Sequence, residues 1–519
     1  MQPNHHALTR RSLIAGGVGA TVAGALAACS DDASAGRPTA TSTGTGTSTS
    51  ISPGTSTGTG PTSWSELAAA TKGALLRPGA TGWDDARVLR NPRFDDADPR
   101  AILRAANADD VVAGLAFARN TKTHVALRSG GHSYTGWSAG GAPGTGVPRS
   151  LVISTADLDT VELSDDGTAV TIGPGAQLLD VYEHLAEKGR AIGAGSCATV
   201  GIGGLTLGGG VGVLVRSFGL TCDQLTAVTV VTADGRVHEA SAQQDQDLFW
   251  AAQGGGGASA GVVTSMTFRT QAAPEVLVFA LTFPWSAAAD VVAAWQRWAP
   301  TADDRLWSSL KLLAGSRHAD GPVVTVAGTW TGPKSGADAS VDGFIADVGT
   351  EPTSHVATES SYADAMRAEA GSGKRVSESA TSAIGSQQLS AAQIQTVLTQ
   401  VEQASSVHGL VEGGVSLDAL GGVVGTVGTT DTAFPWRSAL WTVQYTATFA
   451  NGADPAPFDT YVRGFRAAMQ PVWGTSAYAN YCDASITDVS AYFGDNTSRL
   501  RSIAQGADPD GLLSQPHWL

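Results

Sequence analysis

Cysteine is scarce, with four in 519 residues: Cys29, Cys197, Cys222 and Cys482. Cys29 closes an N-terminal apolar run. Three are left for the body, an odd number that excludes a full disulfide framework and leaves at least one thiol for another use. Charge is scarce as well, at 15% of residues, which excludes a coiled coil. Basic charge is the scarcer sign: Lys and Arg number 32 against 47 Asp and Glu, for a net charge of −15. Nucleic-acid binding is therefore excluded, because phosphate affinity needs clustered Lys and Arg, and the acidic surface serves solubility. No long hydrophobic run is present either. The apolar stretch at 13–28 is rich in Ala and Gly and too short for a stable membrane span. The length itself asks for two domains plus extras.

What the N-terminus does have is an address. Thr9-Arg10-Arg11-Ser12-Leu13-Ile14 resembles a twin-arginine export signal, and Leu26-Ala27-Ala28-Cys29 resembles a bacterial lipobox. Residues 1–29 are expected to direct export, with lipid on Cys29 as the sole membrane attachment. The alternative is an ordinary signal with an incidental cysteine. The expected location is the outer face of the cytoplasmic membrane, or the medium. Residues 30–62 are a Ser/Thr/Gly/Pro tract with almost nothing apolar, which cannot build a core and is expected to be a disordered tether.

Glycine is abundant, 64 residues, and it is clustered. The stretch His124 to Gly140 opens with Val125-Ala126-Leu127, a buried strand, followed by Arg128, Ser129, Gly130, Gly131, His132 and Ser133. Adjacent glycines after a strand turn backbone N–H groups toward one point and form a nest for phosphate oxygens. Arg128 adds charge, Ser129 and Ser133 add hydroxyls, and His132 sits inside the loop. A plain turn is the competing interpretation of a Gly-Gly pair alone. A second stretch, 193–223, has ten glycines among 31 residues, a density suited to backbone lying against a flat or charged ligand. A third, Gly254 to Gly257, follows the helical run Asp247 to Gln253.

RSGGHSYTGWS closely resembles the flavin-attachment loop of the berberine-bridge-enzyme-like oxidases, in the vanillyl-alcohol-oxidase superfamily. The resemblance implies that His132 carries FAD covalently at the 8α-methyl and that the loop holds the pyrophosphate. The second stretch resembles the family's next FAD motif through Arg216, Gly219, Leu220 and Asp223. Within it, Cys197-Ala198-Thr199-Val200-Gly201-Ile202-Gly203-Gly204 matches the segment whose cysteine bonds flavin C6, with Ala198 for Pro and Leu205 for His. Cys197 is thus either an isolated buried thiol or a second covalent link. Thr199, Val200, Gly203, Gly204 and Gly208 are expected to contact FAD, and Val200 stands where a small residue admits O2. Cys222 is expected to be structural. In the third motif Ala258 replaces the family's Asn, and Val262 is expected to meet the cofactor. Tyr478-Ala479-Asn480-Tyr481-Cys482-Asp483 resembles the family's Asn-Tyr-x-Asp motif, which adds Asn480 to the FAD residues.

The implied fold is α+β: a two-subdomain PCMH-type FAD-binding domain over 63–271, an α+β substrate domain with an antiparallel sheet over 272–450, and a C-terminal segment, 451–519, returning to the FAD domain. Alternating runs at 276–283, 306–313 and 323–330, with helices near 287–298, 337–348 and 390–404, are strands and helices of the substrate domain. No metal site is expected. The implied reaction removes hydride from a CH–OH group of a carbohydrate or hydroxylated secondary metabolite, with O2 as acceptor. Tyr481 is the expected base, its pKa lowered by a nearby positive or donor group, with Gln444 as its polar neighbour and Asp418 and Tyr445 as further candidates. The alternatives are a flavin dehydrogenase passing electrons to a quinone or other carrier, a surface protein that binds flavin or ligand without turnover, and a lipoprotein adhesin holding no FAD.

Overall fold

A computed structural model describes residues 60–371, 373–513 and 515. The export signal, the Cys29 lipobox and nearly all of the tether lie outside the described residues.

Two small sheets carry the FAD side. In the first, Ala101–Arg104 and Val125–Arg128 flank Leu151–Ser154 in parallel, with Leu103 and Leu127 both opposite Ile153. Such strands are buried on both faces, which is why they are short and nearly all apolar. The crossover helix Ala108–Thr121 is capped by the Asn107 side chain. Asp110, in its first turn, accepts from Lys72, Gly73 and Ala106 N–H at 2.8 Å each, so its burial is compensated. The second sheet is antiparallel, in the order Val161–Leu163, Ala169–Ile172, Val262–Arg269, Leu225–Val231, Val237–Ser241. Val161–Leu163 pairs with Ala169–Ile172, and Leu225–Val231 with Val237–Ser241, as two hairpins at its ends.

The substrate side is one seven-stranded antiparallel sheet: Ser354–Ser361, Glu275–Phe283, Val323–Trp330, Leu306–Ala314, Leu410–Ala419, Trp441–Phe449, Ser377–Gly385. Its period-2 alternation divides the strands cleanly. Leu310, Leu312, Val415, Leu417, Val443 and Tyr445 enter a core with helices Ala288–Trp298, Lys334–Val348, Ala391–Gln403 and Ala456–Trp473. Ser309, Lys311, Ser416, Asp418, Thr442 and Gln444 alternate with these residues and face the FAD side. Tyr445 is therefore not a site residue: it is fully buried against Phe465, with ring centroids 4.8 Å apart.

The helix Ala456–Trp473 buries Phe458, Phe465 and Trp473 on this sheet, so the substrate domain extends past 450. The chain returns to the FAD side near 477, where Ala477 and Tyr478 join its core.

Candidate functional site

The glycine motifs meet backbone to backbone. A Cβ on Gly130 would lie 2.2 Å from Gly201 N, and one on Gly201 would lie 1.9 Å from Ser129 Oγ. Only glycine lets the two loops interlock. Gly208 serves the C-terminal motif in the same way, since a Cβ there would lie 2.0 Å from Asn480 Oδ1. Asn480 donates to Leu205 O at 2.9 Å, and Tyr478 Oη accepts from Gly210 and Val211 N–H at 3.0 Å. The C-terminal return thus closes a cavity begun more than 300 residues earlier.

That cavity is lined by Ser129, Gly130, Gly131, His132, Ser133, Cys197, Val200, Gly204, Asn480 and Tyr481. Gly257 lines it as well, and a Cβ on Gly204 or Gly257 would meet nothing within 4 Å, so these walls are open. His132 Nε2 lies 2.9 Å from Thr199 Oγ1. Burial, with the Arg90 charge beside it, pushes the imidazole pKa down to about 3, so the ring is neutral near pH 7. Arg90 itself forms a buried ion pair with Glu378 at 2.8 Å. Cys197 is half-buried on the same wall. Cys222 is buried, its thiol pKa raised by burial, which agrees with a structural role. A serine- and glycine-walled cavity holding a neutral histidine and a half-buried thiol fits FAD.

Several expected contacts fall elsewhere. The Arg128 guanidinium does not face the cavity. It donates to Ser138 O at 2.9 Å and to Ala86 O, shaping the loop from behind. Gly203 packs on Pro174, where a Cβ would sit 2.7 Å from the proline Cβ. Val262 is 2% exposed in the core beneath the parallel sheet, opposite Val231. Ala258 takes the wall position near it instead, at φ 73°, a left-handed conformation that Asn adopts more easily than Ala.

Tyr481 also departs from expectation. Its pKa is raised, by burial first and then by the negative charge of Asp418 and the neighbouring phenols Tyr134 and Tyr478. No positive group lowers it. Gln444 Nε2 donates to Tyr134 Oη at 2.9 Å, and Tyr134 stands edge-on to Tyr481 with centroids 5.8 Å apart. Gln444 thus reaches the site through Tyr134, a residue whose role the sequence reading missed although it lies two positions after His132. Asp418 is raised to about 6 by burial, opposed by Lys311 and by the Thr442 hydroxyl. Behind them, burial raises Glu369 to about 8, again opposed by Lys311. The Lys311 and Glu369 positions gave no signal in sequence, because Lys311 lies inside an alternating strand and Glu369 stands in no motif. No group of metal-ligating side chains occurs among the described residues.

Comparison with known proteins places these features in context. The family model described as FAD binding domain matches residues 99–241, and the one described as Berberine and berberine like matches 477–517. The uncharacterized FAD-linked oxidoreductase YvdP of Bacillus subtilis is 31% identical over 454 residues, covering 86% of this chain and 97% of the relative. A chitooligosaccharide oxidase of Gibberella zeae is 28% identical over 463 residues, covering 84% and 90%. The solved structure of Physcomitrella patens BBE-like 1 superposes with a TM-score of 0.80 at 25% identity, covering 88% of this chain and 98% of that one.

Proposed function

Because this chain belongs to the berberine-bridge-enzyme-like FAD-linked oxidoreductases, we propose that it oxidises a CH–OH group of a carbohydrate, or of a hydroxylated secondary metabolite, with O2 as electron acceptor. Support for a sugar comes from relatives named as oligosaccharide oxidases. Bound FAD supplies the hydride acceptor. The protein then has three tasks: to hold the cofactor, to orient the carbinol, and to take its O–H proton.

Holding falls to the Ser129–Ser133 loop, the Cys197–Gly204 segment and Asn480. His132 and Cys197 are the proposed covalent attachment points. A neutral imidazole has a lone pair to offer, which favours attachment at His132. Proton removal falls to Tyr481 with Asp418. A phenol of raised pKa is not a standing tyrosinate, so it accepts the substrate proton only as it yields its own to Asp418. Tyr134, fixed by Gln444, orients the carbinol from the other side.

The observation that carries the proposal is the meeting of His132, Cys197 and Tyr481 on one cavity. The test mixes holoprotein anaerobically with a panel of mono- and oligosaccharides, then admits air. Bleaching of the flavin by a sugar, followed by oxygen uptake, is expected. Bleaching reversed by a quinone dye and not by air would instead make it a dehydrogenase. No bleaching by any CH–OH compound would overturn the proposal. We also propose export through residues 1–29 and lipid attachment at Cys29. Cys29→Ser is expected to release the protein from the membrane fraction.

A further inference from the structure

The cavity that fits FAD touches two hydrophobic cores. Val200, Leu205 and Tyr481 line it and pack on the core of the antiparallel FAD-side sheet, whereas Leu127 and Ala258 line it and pack on the core beneath the parallel sheet. We propose that the flavin ring takes the end at Tyr481, and that Gln515, near the C-terminus, holds the adenosine half at the other. The Gln515 carboxamide oxygen accepts a hydrogen bond from a donor of that half, the adenine 6-amino group or a ribose hydroxyl. This rests on the assignment of the cavity to FAD and needs no particular substrate.

Contacts pin the chain up to this residue. Asp508, just past the helix Thr497–Ala507, accepts from Leu512 N–H at 2.9 Å and from Leu513 N–H at 2.7 Å. Val125 N–H donates to Leu512 O at 2.8 Å. Val125 opens the strand Val125–Arg128, which runs directly into the His132 loop, so the C-terminal segment and that loop hang from one strand. Leu513 is 1% exposed in the core beneath the parallel sheet. Gln515 follows it onto the cavity wall.

The carboxamide is fixed at its nitrogen and open at its oxygen. Gln515 Nε2 donates to Leu513 O at 3.2 Å, which settles which way round the amide lies. Its Oε1 is buried and has no hydrogen-bond partner among the described residues. A buried oxygen without a donor is destabilising, so a ligand that brings a donor gains the bond without first breaking another. The wall beside it supplies no rival acceptor from a side chain. Gly257 has none and Ala258 presents a methyl group, while Ser259 turns its hydroxyl back to Gly255 O at 2.5 Å.

The test titrates flavin-free protein with FAD and with FMN, which lacks the adenosine half, and reads binding by quenching of flavin fluorescence. ADP is added as a competitor against FAD. Gln515→Leu is expected to bind FAD about tenfold more weakly and FMN with unchanged affinity, and ADP is expected to compete about tenfold less well. Gln515→Ala, which removes the carboxamide without filling its space, is expected to show the same split. The ratio of the two affinities is read within each protein, so a loss of stability, which lowers both alike, does not imitate the effect. Wild-type affinity for FAD in both variants, or equal weakening of FAD and FMN, would overturn the role of Gln515. A wild-type protein that takes up neither flavin would overturn the assignment of the cavity itself. No sugar enters the measurement, so it stands apart from the outcome of the sugar panel.

Discussion

At the scale of single residues, burial sets the chemistry. Asp418 is raised to about 6 and can accept a proton only as the carboxylate. Turnover is therefore expected to fall as pH drops through about 6, and this acid limb is expected to vanish in Asp418→Asn, measured as kcat against pH. Tyr481→Phe removes the proton acceptor and is expected to lower kcat about 10²–10⁴-fold with little change in KM. Glu369 gives a stability prediction of definite sign. Its pKa is about 8 in the fold against an ordinary 4.5, so the folded protein holds a proton over that window that the unfolded chain has lost. The stability this provides is fully present below the unfolded value and is lost as pH rises through 8. Glu369→Gln is expected to flatten that loss, seen as a smaller drop in Tm between pH 6 and pH 9. The identities of His132, Cys197, Asn480 and Tyr481 were legible in sequence because they stand inside dense motifs. The sign of the Tyr481 shift was not, because it depends first on burial in the assembled fold and then on Asp418, 63 positions away in sequence and on a different element.

At the scale of elements, the glycine clusters divide by what faces them. A Cβ on Gly130 would lie 2.2 Å from Gly201 N, whereas one on Gly204 would meet nothing within 4 Å. Gly130→Ala is expected to cost about 3 kcal/mol and to strip FAD loading. Gly204→Ala, in the helix Ile202–Leu207, is expected to leave thermal stability of the apoprotein unchanged or raise it by up to about 1 kcal/mol, while weakening FAD retention. Melting curves with and without added FAD separate the two effects. Strand and helix periodicity was readable along most of the chain. It placed the alternating strands at 276–283, 306–313 and 323–330 in the substrate sheet. The segment 451–519 was expected to return whole to the FAD domain, yet its helix Ala456–Trp473 packs on the substrate sheet, and nothing in the sequence of a buried face says which partner covers it.

At the scale of the whole molecule, the two halves are tied by buried cations. Arg216, 1% exposed, donates to Leu306 O at 2.8 Å, Ala302 O at 2.6 Å and Pro300 O at 3.1 Å, and also to Leu420 O. Arg437 holds Asp223 through two bonds of 2.8 Å. Arg216→Met leaves buried carbonyls without donors and is expected to cost about 3 kcal/mol, read as a lower midpoint in urea. The motif match named Arg216 in sequence but not its task, which exists only once the substrate sheet lies beside it. The fit of FAD likewise depends on the fold as a whole, because the loop at His132, the segment at Cys197 and the return at Asn480 line one cavity. The most direct measurement of the account is the mass and colour of the body, residues 63–519, after acid precipitation. Yellow protein heavier by one FAD is predicted, with attachment surviving in His132→Ala through Cys197 and lost only when both are replaced. A colourless precipitate with FAD left in solution would contradict the covalent claim, and a body that never carried FAD would contradict the account itself.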